Sequence, residues 1–323
     1  MKTFDVVGIC NALVDILVEV EEADIKALGL TKGIMHLVDS EKQIKLLEYF
    51  SGKQLSIELG GSAMNAIRTI ASLGKKTAFA GMVANDNFGE RIRSRMTELG
   101  IKASLGQSIE PTGSCVILIT PDGERTMNTH LGASRLYTDA QVPKDDIQNG
   151  RILHFCGYQW DTDGQKLAIK HSVQIAKDHN TMISFDVADP FAVGRNRDEF
   201  IQVIRNDADI VFSNKEEAKM LFGSPESAAA EIAAAGAIAV IKLGAEGALI
   251  RQGDKTYNVK PVPTTVVDTT AAGDMFAAGF LFGVASGKPL DVCGVMAATM
   301  ASDVISRIGA SVSESALKKV RTL

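Results

Sequence analysis

The feature that most constrains the fold of this chain is a regular alternation of short apolar runs with stretches of helical periodicity. The apolar runs have the length of β-strands and lie at residues 4–9, 77–83, 151–156, 182–187, 209–212 and 237–243. Helical periodicity occurs at residues 62–73, 165–178, 216–221, 274–285 and 290–306. Because parallel strands need long crossover connections, usually helices, the alternation predicts an α/β fold with a mostly parallel central sheet.

Two parts of the chain depart from this alternation, because strand-like runs follow one another there with no predicted helix between them. These runs lie at residues 13–19 and 35–38, and at 114–120 and 125–129 across the turn PDGE. They predict a small antiparallel sheet that projects from the main body as a lid. The predicted lid comprises residues 13–40 and 106–131, and the predicted core comprises 1–12, 41–105 and 132–323.

Composition excludes several other classes of protein. The 323 residues carry 34 basic and 39 acidic side chains without a long basic run, so we expect no nucleic-acid partner. The four cysteines form no CxxC pair and the histidines form no HxxxH pair, which disfavours a zinc site. No leader pattern and no run of about 18 apolar residues is present, so we expect a cytoplasmic protein without a membrane partner. As for its own assembly, we expect a monomer or a homodimer.

The segment that most clearly suggests chemistry is VDTTAAGDMF at residues 267–276. Small residues lead directly into an apolar helix, so the amides of Ala271, Ala272 and Gly273 are predicted to bind an anion such as phosphate. Asp274 follows at once, and its carboxylate could accept the proton of an attacking hydroxyl. Its place at the helix N-terminus predicts that it stays ionised. The alternative is a capped helix in which Asp274 only complements the helix dipole.

Three weaker motifs precede or separate the elements of the predicted core. The pair Gly60 and Gly61 stands before a helix, for which Ser62 is a candidate N-cap, and alone it would indicate a tight turn. The sequence NKEE at 214–217 would alone indicate a solvated helix start, and KLGAEG at 242–247 a turn.

Together these segments resemble the signatures of the ribokinase family, also called the PfkB carbohydrate kinase family. DTTAAGD at 268–274 is similar to DT(T/N)(G/A)AGD, and GGSAMN at 60–65 to GGxxxN. NKEE resembles NxxE, KLGAEG resembles (T/K)xGxxG, and all four follow the family's order. The resemblance implies a ribokinase-like three-layer sandwich with a β-sheet lid, ATP as phosphate donor, and Mg²⁺.

The resemblance also implies roles for individual residues. Asp274 would be the general base, the two glycines would let the backbone approach the substrate, and Asn65 would bond its hydroxyls. Asn214 and Glu217 would organise magnesium, with Glu217 acting through water. The segment 242–247 would line the nucleotide site through Lys242, Gly244 and Gly247. Asp268 and Thr270 would bind a monovalent cation such as K⁺.

Several local features are most similar to the adenosine kinase branch of this family. Asn11 and Asp15 match the GNxxxD start, in which the Asp bonds the ribose hydroxyls, and PTGSC at 111–115 resembles PTGTC. Ser62 stands where ribokinases usually carry Lys. Arg125 matches an arginine on the next lid strand that can reach the transferred phosphate.

A nucleoside pocket also needs apolar side chains against the base. The candidates by position are Met35, Leu37, Tyr158, Trp160 and Phe191, each of which could instead be ordinary core.

The sequence therefore predicts an ATP-dependent kinase that phosphorylates a primary hydroxyl of a ribose-containing nucleoside, with adenosine converted to AMP. Two alternatives stay open: a kinase acting on a free sugar such as ribose or fructose, and a catalytically silent homologue that binds a nucleoside. An NAD-dependent oxidoreductase would share the α/β alternation, but GICN at 8–11 lacks the GxGxxG fingerprint.

Overall fold

The computed structural model describes residues 2–323 and divides their strands between two sheets. The strands are β1 Phe4–Ile9, β2 Leu13–Glu19, β3 Met35–Leu37, β4 Ser56–Gly60, β5 Thr77–Ala84, β6 Lys102–Ser108, β7 Thr112–Ile119, β8 Arg125–Gly132, β9 Gly150–Cys156, β10 Met182–Asp186, β11 Ile210–Asn214, β12 Ile238–Lys242, β13 Ala248–Gln252 and β14 Lys255–Val259. The α-helices are α1 Glu22–Ala27, α2 Ser40–Tyr49, α3 Ser62–Ser72, α4 Asn87–Glu98, α5 Lys144–Gln148, α6 Asp163–Asp178, α7 Pro190–Asn206, α8 Lys215–Phe222, α9 Pro225–Ala234, α10 Ala272–Ala285, α11 Leu290–Val304 and α12 Glu314–Thr322.

The large sheet has nine strands in the order β14-β13-β12-β11-β10-β9-β1-β5-β6. All pairs from β12 to β6 are parallel, and β13 and β14 add an antiparallel edge. Helices cover both faces, so neighbouring residues of one strand enter different cores: Val6 belongs to the core that includes α3 and α10, and Val7 to the core that includes α6 and α7. The predicted α/β sandwich with a mostly parallel sheet is confirmed.

The small sheet has five strands in the order β3-β8-β7-β2-β4, and it differs from the predicted antiparallel lid. The pairs β2–β7 and β3–β8 are parallel, whereas β2–β4 and β7–β8 are antiparallel. The prediction of no helix between β2 and β3 was wrong, because α1 lies there. Strands that are distant in sequence or joined through a helix can pair in parallel, and a hairpin cannot.

The boundary between the sheets also differs from the predicted division. Strand β4, which we assigned to the core, pairs with β2 in the small sheet. Residues 106–108, assigned to the lid, complete β6 in the large sheet. The sequence SIELG of β4 is short and only partly apolar, so it carried no clear strand signal. Within residues 2–323, no helix has the length and apolarity needed to cross a membrane.

Helix α10, which begins at the predicted anion-binding segment, is fixed by close packing against α11. A Cβ atom added to Gly279 would lie 2.7 Å from the Met296 carbonyl oxygen, and one added to Gly283 would lie 2.7 Å from Cys293 Sγ. Two helices approach this closely only where one of them lacks side chains at the contact. The position of the first turn of α10 therefore depends on small residues two turns further along.

We predict that Gly279→Ala destabilises the protein by about 1–3 kcal/mol, because the new methyl group overlaps the α11 backbone. Gly194→Ala is the matched control. Gly194 lies in α7, where a Cβ would meet only Met220 Cε at 3.8 Å, so the control should gain about 0.5–1 kcal/mol from better helix propensity. Urea unfolding measures both changes. A Gly279→Ala protein as stable as the wild type would contradict the packing account.

Candidate functional site

A cleft of about 620 Å³ separates the small sheet from the carboxyl edge of the large sheet. Ligands of open α/β proteins bind at this edge, where the strands end and the loops begin. Most of the predicted site residues line the cleft: Asn11, Asp15, Met35, Leu37, Gly61, Ser62, Asn65, Arg125, Tyr158, Phe191, Asn214, Glu217, Lys242, Gly244, Thr270, Ala271, Ala272, Gly273 and Asp274. Gly60, Gly247 and Asp268 lie outside its lining; Gly247 is in the turn between β12 and β13.

Asp274 lies in the first turn of α10 and is held by two donors from the first turn of α3. The Ser62 hydroxyl donates to Oδ1 at 2.6 Å, and Asn65 Nδ2 donates to Oδ2 at 2.9 Å. Ser62 is therefore not the N-cap that we expected; Gly61, with φ of 97°, is. Burial raises the pKa of Asp274, although the two hydrogen bonds act against this. The helix N-terminus, on which the expectation of an ionised carboxylate rests, favours the charged form, and burial opposes it.

The segment before Asp274 presents free backbone donors to the cleft. Among residues 2–323, no protein group accepts from the amides of Ala271 and Gly273, whereas the Ala272 amide donates to the Thr269 carbonyl at 3.3 Å. Ala271 has a φ of 58°, an uncommon conformation for a residue with a side chain. Two of the three predicted anion-binding amides are thus free. We call residues 271–273 the anion loop.

Lys242, at the end of β12, brings a positive charge to the anion loop. A Cβ added to Gly273 would lie 3.2 Å from Lys242 Nζ, so a side chain at this position would crowd the ammonium group. Lys242 Nζ also pairs with Asp186 Oδ2 at 3.1 Å. Burial acts to lower the pKa of Lys242, but the carboxylates of Asp186 and Glu217 outweigh it and raise the pKa. Lys242 is therefore a cation held beside Gly273, whose amide is free, which suits a phosphate group.

Asp186 is a site residue that the sequence analysis missed. It is the last residue of β10, and we read the segment only as a strand. The available signal was its charge, because an acidic residue at the carboxyl end of a buried parallel strand lies at the binding edge of the sheet.

Asn214 and Glu217 form a capping box at the start of α8. Asn214 Oδ1 accepts from the Glu217 amide at 2.9 Å, and Glu217 Oε2 accepts from the Asn214 amide at 2.8 Å. Burial is the largest influence on the Glu217 carboxyl and raises its pKa to about 7. Within residues 2–323, no group of three or more His, Cys, Asp or Glu side chains is arranged to hold a metal ion. The role of this pair near magnesium stays a prediction, and it would act through water.

Asp15 projects from β2 into the cleft, and Gly60 makes room for it. Gly60 lies on the neighbouring strand β4, and a Cβ there would come within 2.2 Å of Asp15 Oδ1. Gly60 thus contributes indirectly. Burial raises the pKa of Asp15 to about 7, with further contributions from Asp274 and Glu58.

Asn11 is held by an amide network that the sequence did not reveal. Its Oδ1 accepts from Gln159 Nε2 at 2.7 Å and from Gln165 Nε2 at 2.8 Å, and its Nδ2 donates to the Tyr158 carbonyl at 3.3 Å. No local pattern indicates these partners, because both glutamines lie far along the chain, after β9.

The predicted base-contacting residues fall into two groups. Leu37 from the small sheet and Phe191 at the start of α7 line the cleft while remaining 43% and 51% exposed. Met35 and Tyr158 also line it but are partly buried. Trp160 is only 2% exposed, because it packs against Phe155, Phe185 and Phe200. Trp160 is therefore chiefly a core residue, and Leu37 and Phe191 are the open apolar surfaces.

Arg125, on β8 of the small sheet, crosses the cleft to the loop before α10. Its Nη1 donates to Thr270 Oγ1 at 2.8 Å, and its Nη2 forms an ion pair with Asp268 Oδ2. Asp268 also accepts from the amides of Thr270 and Gly309, at 2.9 and 2.8 Å. The two residues that we expected to hold a monovalent cation thus both bind Arg125.

The raised pKa of Asp15 predicts a pH dependence of stability. A carboxyl with a pKa of 3.8 when unfolded and about 7 when folded binds more protons in the folded state. Stability without ligand should therefore fall as the pH rises from about 4 to about 7. Asp15→Asn should remove the contribution of Asp15 to this fall, so that at pH 8 the variant is about 2 kcal/mol more stable than the wild type. This value is reduced to allow for the partial solvent access of Asp15.

Urea unfolding from pH 4 to 8 measures this difference, with Glu19→Gln, an exposed carboxyl on the same strand, as the control. An Asp15→Asn curve parallel to that of the wild type would contradict the assigned pKa.

Comparison with known proteins identifies the family of this chain. The pfkB family carbohydrate kinase model matches residues 24–317. An uncharacterized sugar kinase from Archaeoglobus fulgidus is 30% identical over 244 residues, which cover 75% of this chain and 96% of that protein.

Solved structures that match the whole fold include two bacterial proteins. A probable sugar kinase protein from Rhizobium etli aligns with a TM-score of 0.91 and 35% identity, covering 100% of this chain and 99% of the other. The adenosine kinase from Sinorhizobium meliloti aligns with a TM-score of 0.90 and 34% identity, covering 99% of each chain. These matches confirm the ribokinase-like architecture, and the chain belongs to the pfkB family of carbohydrate kinases.

Proposed function

We propose that this kinase transfers the γ-phosphate of ATP to the primary hydroxyl of a nucleoside ribose, with adenosine as the acceptor. The observation that carries the proposal is the arrangement around Asp274. A carboxylate held by Ser62 and Asn65 lies one residue from the free Gly273 amide and close to the Lys242 ammonium. A proton acceptor and an anion cradle within one helical turn suit phosphoryl transfer to an alcohol.

Each group has a distinct task in the transfer. Asp274 takes the proton of the acceptor hydroxyl while the new oxygen–phosphorus bond forms and the bond to the ADP oxygen breaks. The Ala271 and Gly273 amides and Lys242 stabilise the charge on the phosphoryl oxygens. Because burial raises the pKa of Asp274, the carboxylate is a stronger base than an exposed aspartate would be.

The donor fits the cleft through these same groups. ATP would supply the phosphoryl group and leave as ADP, and Mg²⁺, when bound, would neutralise part of the phosphate charge. Asn214 and Glu217 lie at the cleft beside Lys242 and Asp186. On this proposal they order the water shell of the ion, since Mg²⁺ keeps several waters and prefers oxygen ligands. Gly244 lies after β12, where the backbone can approach the nucleotide.

The acceptor is assigned from the other half of the cleft. Asp15 offers a carboxylate for ribose hydroxyls, and the exposed side chains of Leu37 and Phe191 offer apolar surface for a flat base. Exposed apolar side chains in a cleft commonly indicate a ligand surface. The similarity to the Sinorhizobium meliloti adenosine kinase supports the same acceptor.

A kinase for a free sugar is the second candidate, because the relatives from Archaeoglobus fulgidus and Rhizobium etli are described as sugar kinases. A free sugar would leave the exposed surfaces of Leu37 and Phe191 without a ligand contact, which favours the nucleoside. A silent nucleoside-binding protein is disfavoured, because it would have no need of a buried base beside an anion loop.

We predict that Asp274→Asn lowers kcat by about 10²–10⁴-fold, because the amide cannot accept the proton. Thermal stabilisation by ATP should survive, since the amides and Lys242 remain. Asp291→Asn is the matched control: Asp291 is an exposed first-turn residue of the next helix, α11. A coupled ADP-release assay measures the rates. Retention of half the wild-type kcat by Asp274→Asn would reject it as the base.

We predict that Phe191→Ala raises KM for adenosine by roughly tenfold, because stacking of a base on an aromatic ring contributes about 1–3 kcal/mol. The rate with ribose, which has no base, should change less than about twofold. Leu167→Ala, at an exposed apolar residue of α6, is the control. The nucleoside assignment fails if the wild type prefers ribose or fructose to adenosine, or if Phe191→Ala affects both acceptors equally.

A further inference from the structure

Arg125 makes a buried contact with Asp268 and Thr270, just before the anion loop, and the proposed function gives this contact no role. The Arg125 side chain is 11% exposed and that of Asp268 is 1% exposed, so the ion pair is almost fully shielded from water. The same guanidinium donates to the Thr270 hydroxyl. A buried charge pair is costly to assemble unless each partner is also hydrogen bonded. Both partners have such hydrogen bonds, so the ion pair is a stable part of the site.

Asp268 and Thr270 are the residues for which the family resemblance implied a monovalent cation, and their environment does not fit one. Asp268 Oδ1 accepts from the Thr270 amide, and Oδ2 accepts from the Gly309 amide besides binding Arg125. A second cation on these oxygens would lie within a few ångströms of the guanidinium and be repelled in a poorly solvated place. The negative charge of Asp268 is already paired with the positive charge of Arg125.

We propose that Arg125 replaces the monovalent cation: its guanidinium neutralises Asp268 and fixes residues 268–270, so that the anion loop is ordered without K⁺. Arg125 is then a positioning residue, acting through Asp268 and Thr270 and not on the phosphoryl group. A fixed loop keeps the Ala271 and Gly273 amides in place before the reaction begins.

The place of Arg125 in the fold links this ordering to the small sheet. Arg125 comes from β8, and a second residue of the same sheet, Glu58 of β4, accepts from the Ala310 amide at 3.2 Å. Asp268 links residues 268–270 to this second contact, because it accepts from the amide of Gly309, the neighbour of Ala310. The small sheet thus contacts residues 268–270 through Arg125 and residue 310 through Glu58. A free ion could order the loop whatever the position of the sheet, whereas Arg125 can do so only when the sheet lies over the cleft.

The test compares K⁺ with tetramethylammonium at constant ionic strength, using the full chain and two readouts: melting temperature without substrates, and kcat with ATP and adenosine. The wild type should change less than about twofold in rate and should not shift in melting temperature. Arg125→Ala leaves Asp268 buried and unpaired, so it should lose roughly tenfold or more in rate in tetramethylammonium. K⁺ should restore at least about half of that loss, and raise the melting temperature, by binding Asp268.

Two further variants sharpen the result. Arg125→Lys keeps a tethered cation and should stay insensitive to K⁺, and Arg125→Met keeps the apolar stem and replaces the alanine variant if that fails to fold. Arg205→Ala, which removes an exposed arginine paired with Glu231, should show no K⁺ response. Activation of the wild type by K⁺ would overturn the proposal, and so would Arg125→Ala and Arg125→Met proteins that ignore K⁺ in both readouts.

The rate measurement rests on the proposed function, but the melting measurement does not. A wild type that phosphorylates no adenosine, with melting temperatures that follow the expected pattern, would reject the nucleoside kinase assignment and support the role of Arg125. If the wild type phosphorylates adenosine and is activated by K⁺, the nucleoside kinase assignment is supported and the role of Arg125 is rejected.

Discussion

The hydrogen bonds that Ser62 and Asn65 donate to Asp274 are the contacts on which the site depends. They join residues that are 212 and 209 positions apart in the chain. They exist because helices α3 and α10 begin at the same edge of the large sheet and pack together. Charge-assisted hydrogen bonds are shorter and stronger than neutral ones, so the carboxylate is fixed in direction as well as position. Without them burial would raise the pKa of Asp274 further, and the carboxylate would lose its orientation toward the cleft.

Charge imbalance is the second property of the cleft. Its lining holds seven carboxylates, of Asp15, Glu124, Asp161, Asp186, Asp189, Glu217 and Asp274, against three cationic side chains, of Arg125, Arg195 and Lys242. Repulsion among carboxylates adds to burial in raising the pKa values of Asp15 and Glu217 to about 7. A polyphosphate could not enter such a cleft without counter-charge. The dependence on Mg²⁺ that we propose therefore follows from the protein's own charges as well as from those of ATP.

The sequence predicted the parts of this structure that depend on local patterns. Alternating strands and helices predicted the large sheet, and the family resemblance of DTTAAGD and GGSAMN indicated Asp274, residues 271–273 and Asn65 as candidate site residues. Features set by tertiary contacts escaped it. Strand β4 has a weak apolar pattern. The partners of Asn11 lie about 150 residues further along the chain, Gln159 in a short 3-10 helix and Gln165 in α6. Asp186 lies in a segment whose pattern indicates only a strand. The pairing of Arg125 with Asp268 joins segments from the two sheets, which no local pattern could reveal.

The central claim is that Asp274 faces the hydroxyl that receives the phosphate. A crystal structure with adenosine and a non-hydrolysable ATP analogue tests it most directly, by the distance between the Asp274 carboxylate and the 5′-oxygen of adenosine. Our account predicts about 2.6–3.2 Å, with Ser62 and Asn65 still bound to the carboxylate and the terminal phosphate at the Gly273 amide. A 5′-oxygen beyond about 5 Å, or a different hydroxyl at the carboxylate, would contradict it.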